Sequence, residues 1–331
     1  MSETAWTSGQ GRRVETAVYS IPLRSRFRRI TVREGMLIRG PSGWGEFSPF
    51  WDYGVAEARR WWPSAVEAAA GEWPAPIRDR IAVNCTVPAV DAATAQEIAL
   101  LSGCRTAKVK VAEPGQSLAE DVERVAAVRD ALGSAGAVRI DANGAWSVAE
   151  AVLAISEIDR EVGGLEYAEQ PCQSLAELAA VRLRVGVPIA ADESIRRAED
   201  SMRVAVLGAA DIAVLKVQPL GGVRRALAVA QNCGLPVVVS SALETSVGLA
   251  AGVALAAALP ELRYACGLAT RALLDGDVCS DPLVPVDGFL PVRSVDPDLR
   301  ADVAADEETT QRWYERLAAV SGSSLIPEST A

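Results

Sequence analysis

The feature that most constrains the fold is a regular alternation of short apolar runs with helical segments through the middle of the chain. Eight such runs follow one another from residue 81, with centres about 23 to 31 residues apart. Each run is rich in Val or Ile, or is bounded by Gly or Pro, as buried parallel strands are. The eight runs are Ile81–Val87, Thr106–Ala112, Ala137–Ala142, Gly164–Glu169, Val187–Asp192, Asp211–Gln218, Pro236–Ser241 and Arg263–Gly267.

Helix-start signals lie between these runs. The sequence Ser-x-x-Glu occurs there at Ser117, Ser147 and Ser174, and this pattern forms a capping box that satisfies two backbone donors at the start of a helix. Eight strands alternating with helices predict a TIM-type (β/α)7β barrel over residues 81–270, in the α/β class. A doubly wound open sheet shows the same alternation and is the alternative.

The residues before the barrel have a different pattern. Residues 1–80 predict a small α+β N-terminal capping domain, which begins with a flexible leader over residues 1–12. Strands are expected at Val14–Ile21 and Ile30–Arg39, and a helix at Val55–Ala70. After the barrel, residues 271–331 are expected to return to the cap and to end in an acidic, frayed tail.

Composition narrows the class of protein. Of the 331 residues, 50% are hydrophobic and 23% are charged, which is typical of a globular chain. The formal net charge of −10 makes nucleic acid a poor partner. The polar N-terminus and the lack of a long apolar stretch predict a cytoplasmic protein without a membrane partner. Both a monomer and a homo-oligomer are compatible with this composition.

The chain contains no histidine. This excludes Ser-His-Asp triads, His-based zinc sites and His-ligated haem. Acid–base chemistry must therefore come from Lys, Asp, Glu, Tyr or Cys, and a metal ion must be held by oxygen or sulfur. The six cysteines contain no C-x-x-C pair and are expected to be reduced and buried.

Three consecutive runs end in a carboxylate, at Asp141, Glu169 and Asp192. Barrel enzymes build their sites at this carboxyl edge, so these groups are expected to lie together. Clustered carboxylates repel one another, and a bound divalent cation compensates this repulsion. Oxygen ligands alone favour Mg²⁺, with Mn²⁺ as a substitute. The alternative is that each acid only complements a helix N-terminus.

Lysines flank these acids. Lys108 and Lys110 are two residues apart, so they point to the same face of the second run. Lys216 lies within the sixth run, and the second and sixth strands of an eight-stranded ring are opposite each other. Lys110 and Lys216 are therefore expected to face each other across the barrel mouth, where a lysine can act as a general base. The arrangement suits removal of a proton next to a metal-bound carboxylate; structural salt bridges are the alternative.

Over about residues 13–293 the sequence resembles the enolase superfamily, in its muconate-lactonising subgroup. The absence of His excludes the mandelate-racemase-like branch, which needs a His base. Within the subgroup, the segment Ser240–Leu249 is similar to the seventh-strand loop of the o-succinylbenzoate synthase family. The residues that carry the resemblance to the subgroup are Lys108 and Lys110, Asp141 with Asn143, Glu169-Gln170-Pro171, Asp192-Glu193-Ser194 and Lys216.

The resemblance implies a Mg²⁺-dependent lyase that acts on a small carboxylated substrate. It would dehydrate 2-succinyl-6-hydroxy-2,4-cyclohexadiene-1-carboxylate to o-succinylbenzoate, in menaquinone biosynthesis. By this resemblance Lys110 removes the proton α to the carboxylate, Lys108 supports it electrostatically and Lys216 stabilises the enediolate. The implied metal ligands are Asp141, Glu169 and Asp192, and the implied substrate-binding residues are Ser240, Ser241 and Asn143.

Other activities use almost the same residues. An N-acylamino acid racemase or dipeptide epimerase of the superfamily would use the two opposed lysines as acid and base. Dipeptide epimerases usually carry D-x-D at the eighth strand, and the segment Tyr264–Thr270 lacks it. The seventh-strand loop also disfavours muconate cycloisomerisation. A non-catalytic binding protein is expected to have lost a base or a metal ligand, and none is lost here.

Overall fold

The computed structural model describes residues 5–7, 13–71, 73–197, 204, 207–298 and 300–321. The rest of the predicted leader and nearly all of the predicted frayed tail lie outside these residues. Residues 5–7 form a short strand that pairs with residues 13–15.

An antiparallel sheet forms the N-terminal part of the molecule. Its strands lie in the order β1 (Ala5–Thr7), β2 (Arg13–Phe27), β3 (Ile30–Arg39) and β4 (Trp44–Phe47). The predicted helix over Val55–Ala70 is two helices, α1 (Val55–Arg59) and α2 (Trp62–Ala70). The break has a local cause, because Pro63 has no N–H to bond to the preceding turn and is well placed at the start of a helix.

A seven-stranded parallel sheet forms the larger part. Its strands follow one another in chain order without a reversal in the described residues, which excludes the doubly wound alternative. Each strand lies inside a predicted run. They are β6 (Cys85–Val87), β7 (Thr106–Lys110), β8 (Ala137–Asp141), β9 (Tyr167–Glu169), β10 (Ile189–Ala191), β11 (Ile212–Leu215) and β12 (Val237–Val239).

Helices connect these strands. The three predicted capping boxes are present at Ser117, Ser147 and Ser174, where each Ser accepts from the backbone N–H three residues on. These bonds set the helix starts just past the loops at the carboxyl edge of the sheet. The helices are α3 (Ala92–Leu101), α4 (Leu118–Leu132), α5 (Val148–Val162), α6 (Leu175–Arg182), α7 (Glu193–Arg197), α8 (Val217–Leu220), α9 (Val223–Asn232) and α10 (Ser246–Ala258).

The first and eighth predicted runs differ from expectation. The first is divided, so that β5 (Arg80–Ala82) pairs antiparallel with β13 (Phe289–Pro291) and only β6 joins the parallel sheet. The run Arg263–Gly267 is not a strand: it makes one parallel bridge from Cys266 to Val83 and one from Gly267 to Ser240. Because the run has only one bridge on each side and contains Gly267, a residue type that weakens strands, it does not form a continuous ladder of hydrogen bonds. The expected eight-stranded sheet is therefore observed as seven strands with a bridging segment.

The C-terminal segment packs on the N-terminal part. It contains two 3₁₀ turns, Thr270–Leu273 and Ala301–Val303, and the helix α11 (Glu307–Ser321). Trp313 of α11 is buried edge-to-face against Phe47, with ring centroids 6.0 Å apart. One hydrophobic core contains Met36 and Phe47 of the antiparallel sheet as well as Val109 and Ile140 of the parallel sheet, so the two sheets are held together by apolar packing.

The cysteines agree with the expectation from composition. All six cysteines are buried and none forms a disulfide. None of the described helices combines the length and the apolar character that crossing a bilayer requires.

Candidate active site

A cavity lies between the carboxyl ends of the parallel strands and the N-terminal part of the molecule. The strand ends contribute charged and hydroxyl side chains, and the β2–β3 hairpin and the segment after β4 contribute mainly arginine and aromatic side chains. The residues that line it include Arg26, Arg28, Phe50, Tyr53, Thr86, Lys108, Lys110, Asn143, Lys216, Ser240, Ser241 and Thr270.

Three acidic side chains lie at neighbouring strand ends, as expected. Asp141 ends β8 and Glu169 ends β9, and these two residues are directly paired in the sheet register. Asp192 follows the last residue of β10. Each of the three is only 1% exposed. Three negative charges are thus removed from water at one edge of the sheet, which is costly unless positive charge compensates them.

Three lysines supply that charge. The Lys108 ammonium lies 2.8 Å from Glu169 Oε1 and 3.1 Å from Asp141 Oδ2. The Lys110 ammonium donates to the same Asp141 oxygen at 2.6 Å, so both lysines of the strand point into the site. The acids Asp141, Glu169 and Asp192 follow one another along the sheet edge as a carboxylate series. At its far end, Lys216 donates to Asp192 Oδ2 at 2.6 Å. Lys110 and Lys216 therefore each contact an outer carboxylate, and Lys108 lies between Asp141 and Glu169.

Burial and charge act in opposite directions on these groups. Burial alone would raise the pKa of Asp141, but the ammonium groups of Lys110 and Lys108 hold it well below its usual range. At Glu169, burial and the nearby charge of Asp141 raise the pKa above the ordinary carboxyl value. Burial would lower the pKa of Lys108, but Glu169 and Asp141 raise it well above normal, so this ammonium stays charged.

The carboxylates match the ligand type of a hard divalent cation. Within the described residues, no three acidic or cysteine side chains converge on a common point, because the carboxylate oxygens face the three lysine ammonium groups instead. The donor chemistry nevertheless fits Mg²⁺: Asp141, Glu169 and Asp192 supply buried, anionic oxygen ligands at neighbouring strand ends. Three positive and three negative side chains balance, so a dication and an anionic substrate can enter together.

Strained backbone follows three of the strands. Ala112, Asn143 and Gln170 have φ values of 60°, 48° and 40°, in the left-handed region that side-chain-bearing residues avoid. Asn143 is held there by its N–H, which donates to Asp141 Oδ1 at 3.0 Å, while its own Oδ1 accepts from Lys110 at 2.6 Å. Such strain is typical of functional sites, where the surroundings enforce it.

Gln170 organises the next strand end. Its side-chain oxygen accepts from the backbone N–H groups of Asp192 and Ser194, at 3.0 and 3.2 Å, and its amide donates to Ser194 Oγ at 2.7 Å. Sequence reasoning placed Gln170 in a motif without giving it a role. The backbone of Asp192 is thus fixed by the residue that follows Glu169.

The two serines predicted to bind substrate line the cavity, and their hydroxyls also have protein partners. Ser241 Oγ lies 2.5 Å from Thr270 Oγ1 and accepts from the Leu243 N–H at 3.1 Å. Ser240 Oγ donates to the Gly267 carbonyl at 3.4 Å. The loop after β12 is thereby joined to the bridging segment at this part of the wall.

Sequence reasoning missed the part of the cavity wall that the β2–β3 hairpin supplies. The sequence favours solvation of the charged cluster Arg24, Arg26, Arg28 and Arg29 over a role in attracting a carboxylated substrate, but Arg26 and Arg28 line the cavity. The Arg28 guanidinium lies 3.9 Å from the centroid of the Phe50 ring and donates to the Tyr53 hydroxyl at 2.8 Å.

Thr86 was also missed. It lies beside Lys108 in the sheet register and lines the cavity. A lone polar residue between the apolar residues of a buried strand was the signal that could have found it. By contrast, no local signal in the sequence brings the hairpin to this cavity, because its position depends on how the two sheets pack.

Comparisons with known proteins agree with this geometry. Residues 91–299 match the family model for enolase C-terminal domain-like proteins, and residues 18–69 match the model for enolase N-terminal domain-like proteins. The chain is 65% identical over 301 residues to the o-succinylbenzoate synthase of Thermobifida fusca, covering 91% of this chain and 94% of that protein. The chain belongs to the o-succinylbenzoate synthase family of the enolase superfamily.

A second member of the family is also similar. The o-succinylbenzoate synthase of Mycolicibacterium smegmatis is 56% identical over 305 residues, covering 91% of this chain and 94% of that protein. The resemblance that the sequence motifs predicted is therefore confirmed.

The chain shares its fold with solved structures of other members of the superfamily. The muconate lactonising enzyme of Pseudomonas fluorescens superimposes with a TM-score of 0.74 at 24% identity, covering 94% of this chain and all of that one. The L-Ala-D/L-Glu epimerase of Bacillus subtilis gives a TM-score of 0.73 at 25% identity, covering 89% and 99% of the two chains.

Proposed function

We propose that this protein catalyses the dehydration of 2-succinyl-6-hydroxy-2,4-cyclohexadiene-1-carboxylate to o-succinylbenzoate, a step of menaquinone biosynthesis. The observation that carries the proposal is the 65% identity to the Thermobifida fusca o-succinylbenzoate synthase over 91% of the chain. The pairing of the three buried acids with three lysines that line one cavity supports the same conclusion from chemistry.

The proposed metal site consists of Asp141, Glu169 and Asp192, which would hold Mg²⁺ or, as a substitute, Mn²⁺. Their burial and anionic oxygen atoms support this assignment. When bound, the cation stabilises negative charge that develops on the substrate carboxylate as the α proton leaves.

Lys110 is the proposed general base. It lies at the cavity wall with 16% of its side chain exposed, so a bound substrate can reach it. Its contacts with Asp141 and Asn143 fix the direction of the amine toward the carboxylate series. In the reaction the amine takes the proton α to the carboxylate, and the electron pair left on that carbon forms the new ring double bond. The hydroxyl group takes up the proton that the Lys110 ammonium now carries and leaves as water, which returns the amine to its neutral form.

The other two lysines have electrostatic roles in this proposal. Lys108 is buried and paired with two acids, so it stays positive and supports the base electrostatically. Lys216 reaches the cavity from the opposite end of the series, where its charge stabilises the enediolate and can lie over the ring as a cation–π partner. Ser240, Ser241 and Asn143 are the proposed substrate-binding groups, the two serines for the succinyl tail, which their position in the wall supports.

We further propose that the parallel sheet closes into the (β/α)7β barrel. Cys266 donates to the Ala82 carbonyl at 2.7 Å, and Gly267 donates to the Val239 carbonyl at 2.8 Å. One segment thus bonds to the last residue of the edge strand β12 and to Ala82, three residues before the other edge strand, β6. The proposed divisions remain residues 1–80, 81–270 and 271–331.

The proposed location is the cytoplasm, which six unbridged, buried cysteines support. The proposed partner is a small carboxylated substrate, bound by a monomer or a homo-oligomer.

Racemisation of N-acylamino acids is the second candidate function. It is favoured by one observation, the placement of Lys110 and Lys216 at opposite ends of the carboxylate series. Two such amines can remove and return a proton on opposite sides of one carbon atom.

The test is a turnover assay with the purified chain and Mg²⁺. The cyclohexadiene substrate and a panel of N-acylamino acids are offered separately, with absorbance reporting dehydration and optical rotation reporting racemisation. We expect conversion of the cyclohexadiene. Turnover of the N-acylamino acids alone would contradict the proposed function.

A further inference from the structure

A buried ion pair lies directly behind the proposed base. Arg124 and Asp121 lie one turn apart on α4 and are 1% and 2% exposed. Arg124 Nη1 donates to Asp121 Oδ1 at 2.6 Å. Neither side chain lines the cavity, and an unneeded buried ion pair gives little net stability over apolar packing.

The pair contacts the backbone on both sides of Val111. Arg124 Nη1 donates to the carbonyl of Lys110 at 3.0 Å. Asp121 Oδ2 accepts from the N–H of Ala112 at 2.8 Å. The same ion pair therefore holds the last peptide group of β7 and the first turn after it.

Arg124 also joins this strand end to its neighbours. Its Nε donates to the Val90 carbonyl, beyond β6, at 2.5 Å. Its Nη2 donates to Gln116 Oε1, and the amide of Gln116 donates to the Ala89 carbonyl at 3.1 Å. One planar guanidinium thus links loops after two adjacent strands, which a single lysine amine cannot do.

The held segment needs such support. Ala112 has a φ of 60°, an unfavourable conformation for a residue with a side chain, and one that persists only where surrounding contacts enforce it. It follows Lys110 by two residues. Relaxation at Ala112 would rotate the peptide groups after β7 and displace the Lys110 amine.

We infer that Arg124 and Asp121 are a positioning pair that fixes the strand end carrying Lys110 for proton removal. This inference rests on the proposed function of Lys110 as the base. The pair acts through the backbone of Lys110 and touches neither the cavity nor the proposed metal ligands.

The same helix provides a matched control. Arg129, toward the other end of α4, donates to the carbonyls of Val162, Gly136 and Gly164 at 2.9, 2.5 and 2.9 Å. These carbonyls lie at the amino-terminal edge of the sheet, away from the cavity. Arg129→Lys therefore removes the same kind of contact from the same helix without reaching the base.

The experiment compares Arg124→Lys and Arg129→Lys in the full-length protein with Mg²⁺. Each retains the positive charge, so Asp121 is not left as an unpaired buried charge in the first variant. Turnover is expressed per folded molecule, with the folded fraction at the assay temperature taken from a thermal melt. We expect Arg124→Lys to lower kcat about tenfold or more, with KM within about twofold, because misplacing a reacting group costs rate rather than binding. Arg129→Lys is expected to keep kcat within about twofold.

An unchanged kcat in Arg124→Lys, or an equal loss in both variants, would overturn the inference. The proposed function fails if the wild-type chain converts a different carboxylic acid, by removing its α proton, and does not convert the cyclohexadiene. The positioning inference is then tested separately, by comparing the same two variants on that acid.

Discussion

At the scale of single residues, the site is a set of mutually dependent charges. Lys108, Lys110 and Lys216 are stabilised by acids that are almost completely buried. A variant is therefore informative where the group left behind still has a partner, since an unpaired buried charge would unfold the chain instead.

Lys110→Met meets that condition. Asp141 keeps its contact with Lys108 at 3.1 Å, so the fold is expected to persist. Loss of the general base should reduce turnover by at least about a hundredfold and should abolish exchange of the substrate α proton with solvent deuterium. Proton NMR in D₂O measures both. Retained exchange would remove Lys110 as the base.

Asp192→Asn tests the metal site. Asparagine keeps the shape and an oxygen acceptor for Lys216, but it removes one anionic ligand. We expect Mg²⁺ affinity to fall at least about tenfold, because ligand charge sets affinity for hard cations. Calorimetric titration measures this. Asp211→Asn, at the opposite end of the neighbouring strand, is the control and should bind as the wild type does; equal affinity in all three proteins would refute the assignment.

The placement of the three acids could be predicted from the sequence, because the periodicity of a strand indicates where the strand ends. Asp141, Glu169 and Asp192 follow apolar runs, and the structure places them at neighbouring strand ends. Which lysine contacts which acid could not be predicted, because side-chain pairing depends on distances across strands. The position of Arg28 could not be predicted for a related reason: only the packing of the two sheets brings it to the cavity.

At the scale of secondary-structure elements, local signals predicted helix starts better than strand ends. The capping boxes at Ser117, Ser147 and Ser174 are present because their bonds are made within four residues. The helix expected over Val55–Ala70 is interrupted before Pro63, a signal that was in the sequence. The division of the first run into β5 and β6 was not predictable locally, because β5 pairs with β13, about 200 residues later.

A buried acidic pair, Glu46 and Glu244, lies where β4 meets the loop after β12 and the start of α10. Glu46 of β4 accepts from the N–H groups of Thr245 and Gly248, both at 3.1 Å, and so caps a helix that lacks a cap of its own. Glu244 lies beside it, facing Glu46 and the Arg33 guanidinium. Burial and then the charge of Glu46 raise the pKa of Glu244 to about 7.

This gives a pH-dependent stability. In the unfolded chain Glu244 has its ordinary pKa near 4.5, so this group binds more protons in the folded state between the two values. The contribution of Glu244 to the free energy of unfolding should therefore fall as pH rises from about 4.5 through 7. Glu244→Gln mimics the protonated form. We expect the variant to be more stable than wild type by up to about 3 kcal/mol at pH 8, and nearly equal at pH 5, in urea unfolding.

Glu261→Gln, at an exposed site, is the control for that comparison and should follow the wild-type curve. A Glu244→Gln variant whose stability differs from wild type by the same amount at pH 5 and pH 8 would contradict the account.

At the scale of the whole molecule, the sequential parallel α/β sheet could be predicted because apolar runs of regular spacing constrain the chain from residue 81 to residue 267. The strictly sequential order of β6 to β12 agrees with that spacing. What the spacing could not show is how the run at Arg263–Gly267 meets both edges, since two single bridges leave no periodic pattern. The position of the N-terminal sheet could not be predicted either, because it depends on apolar packing between segments that are distant in the sequence, such as Phe47 with Trp313.

The central claim is that three acids hold one divalent ion while Lys110 and Lys216 approach a bound carboxylic acid from opposite sides. A crystal structure with Mn²⁺ and o-succinylbenzoate tests it most directly, because anomalous scattering locates the ion independently of the protein. We expect one peak coordinated by Asp141, Glu169, Asp192 and the product carboxylate, with the two amines on opposite faces of the product ring. A peak elsewhere, or both amines on one face, would contradict the account.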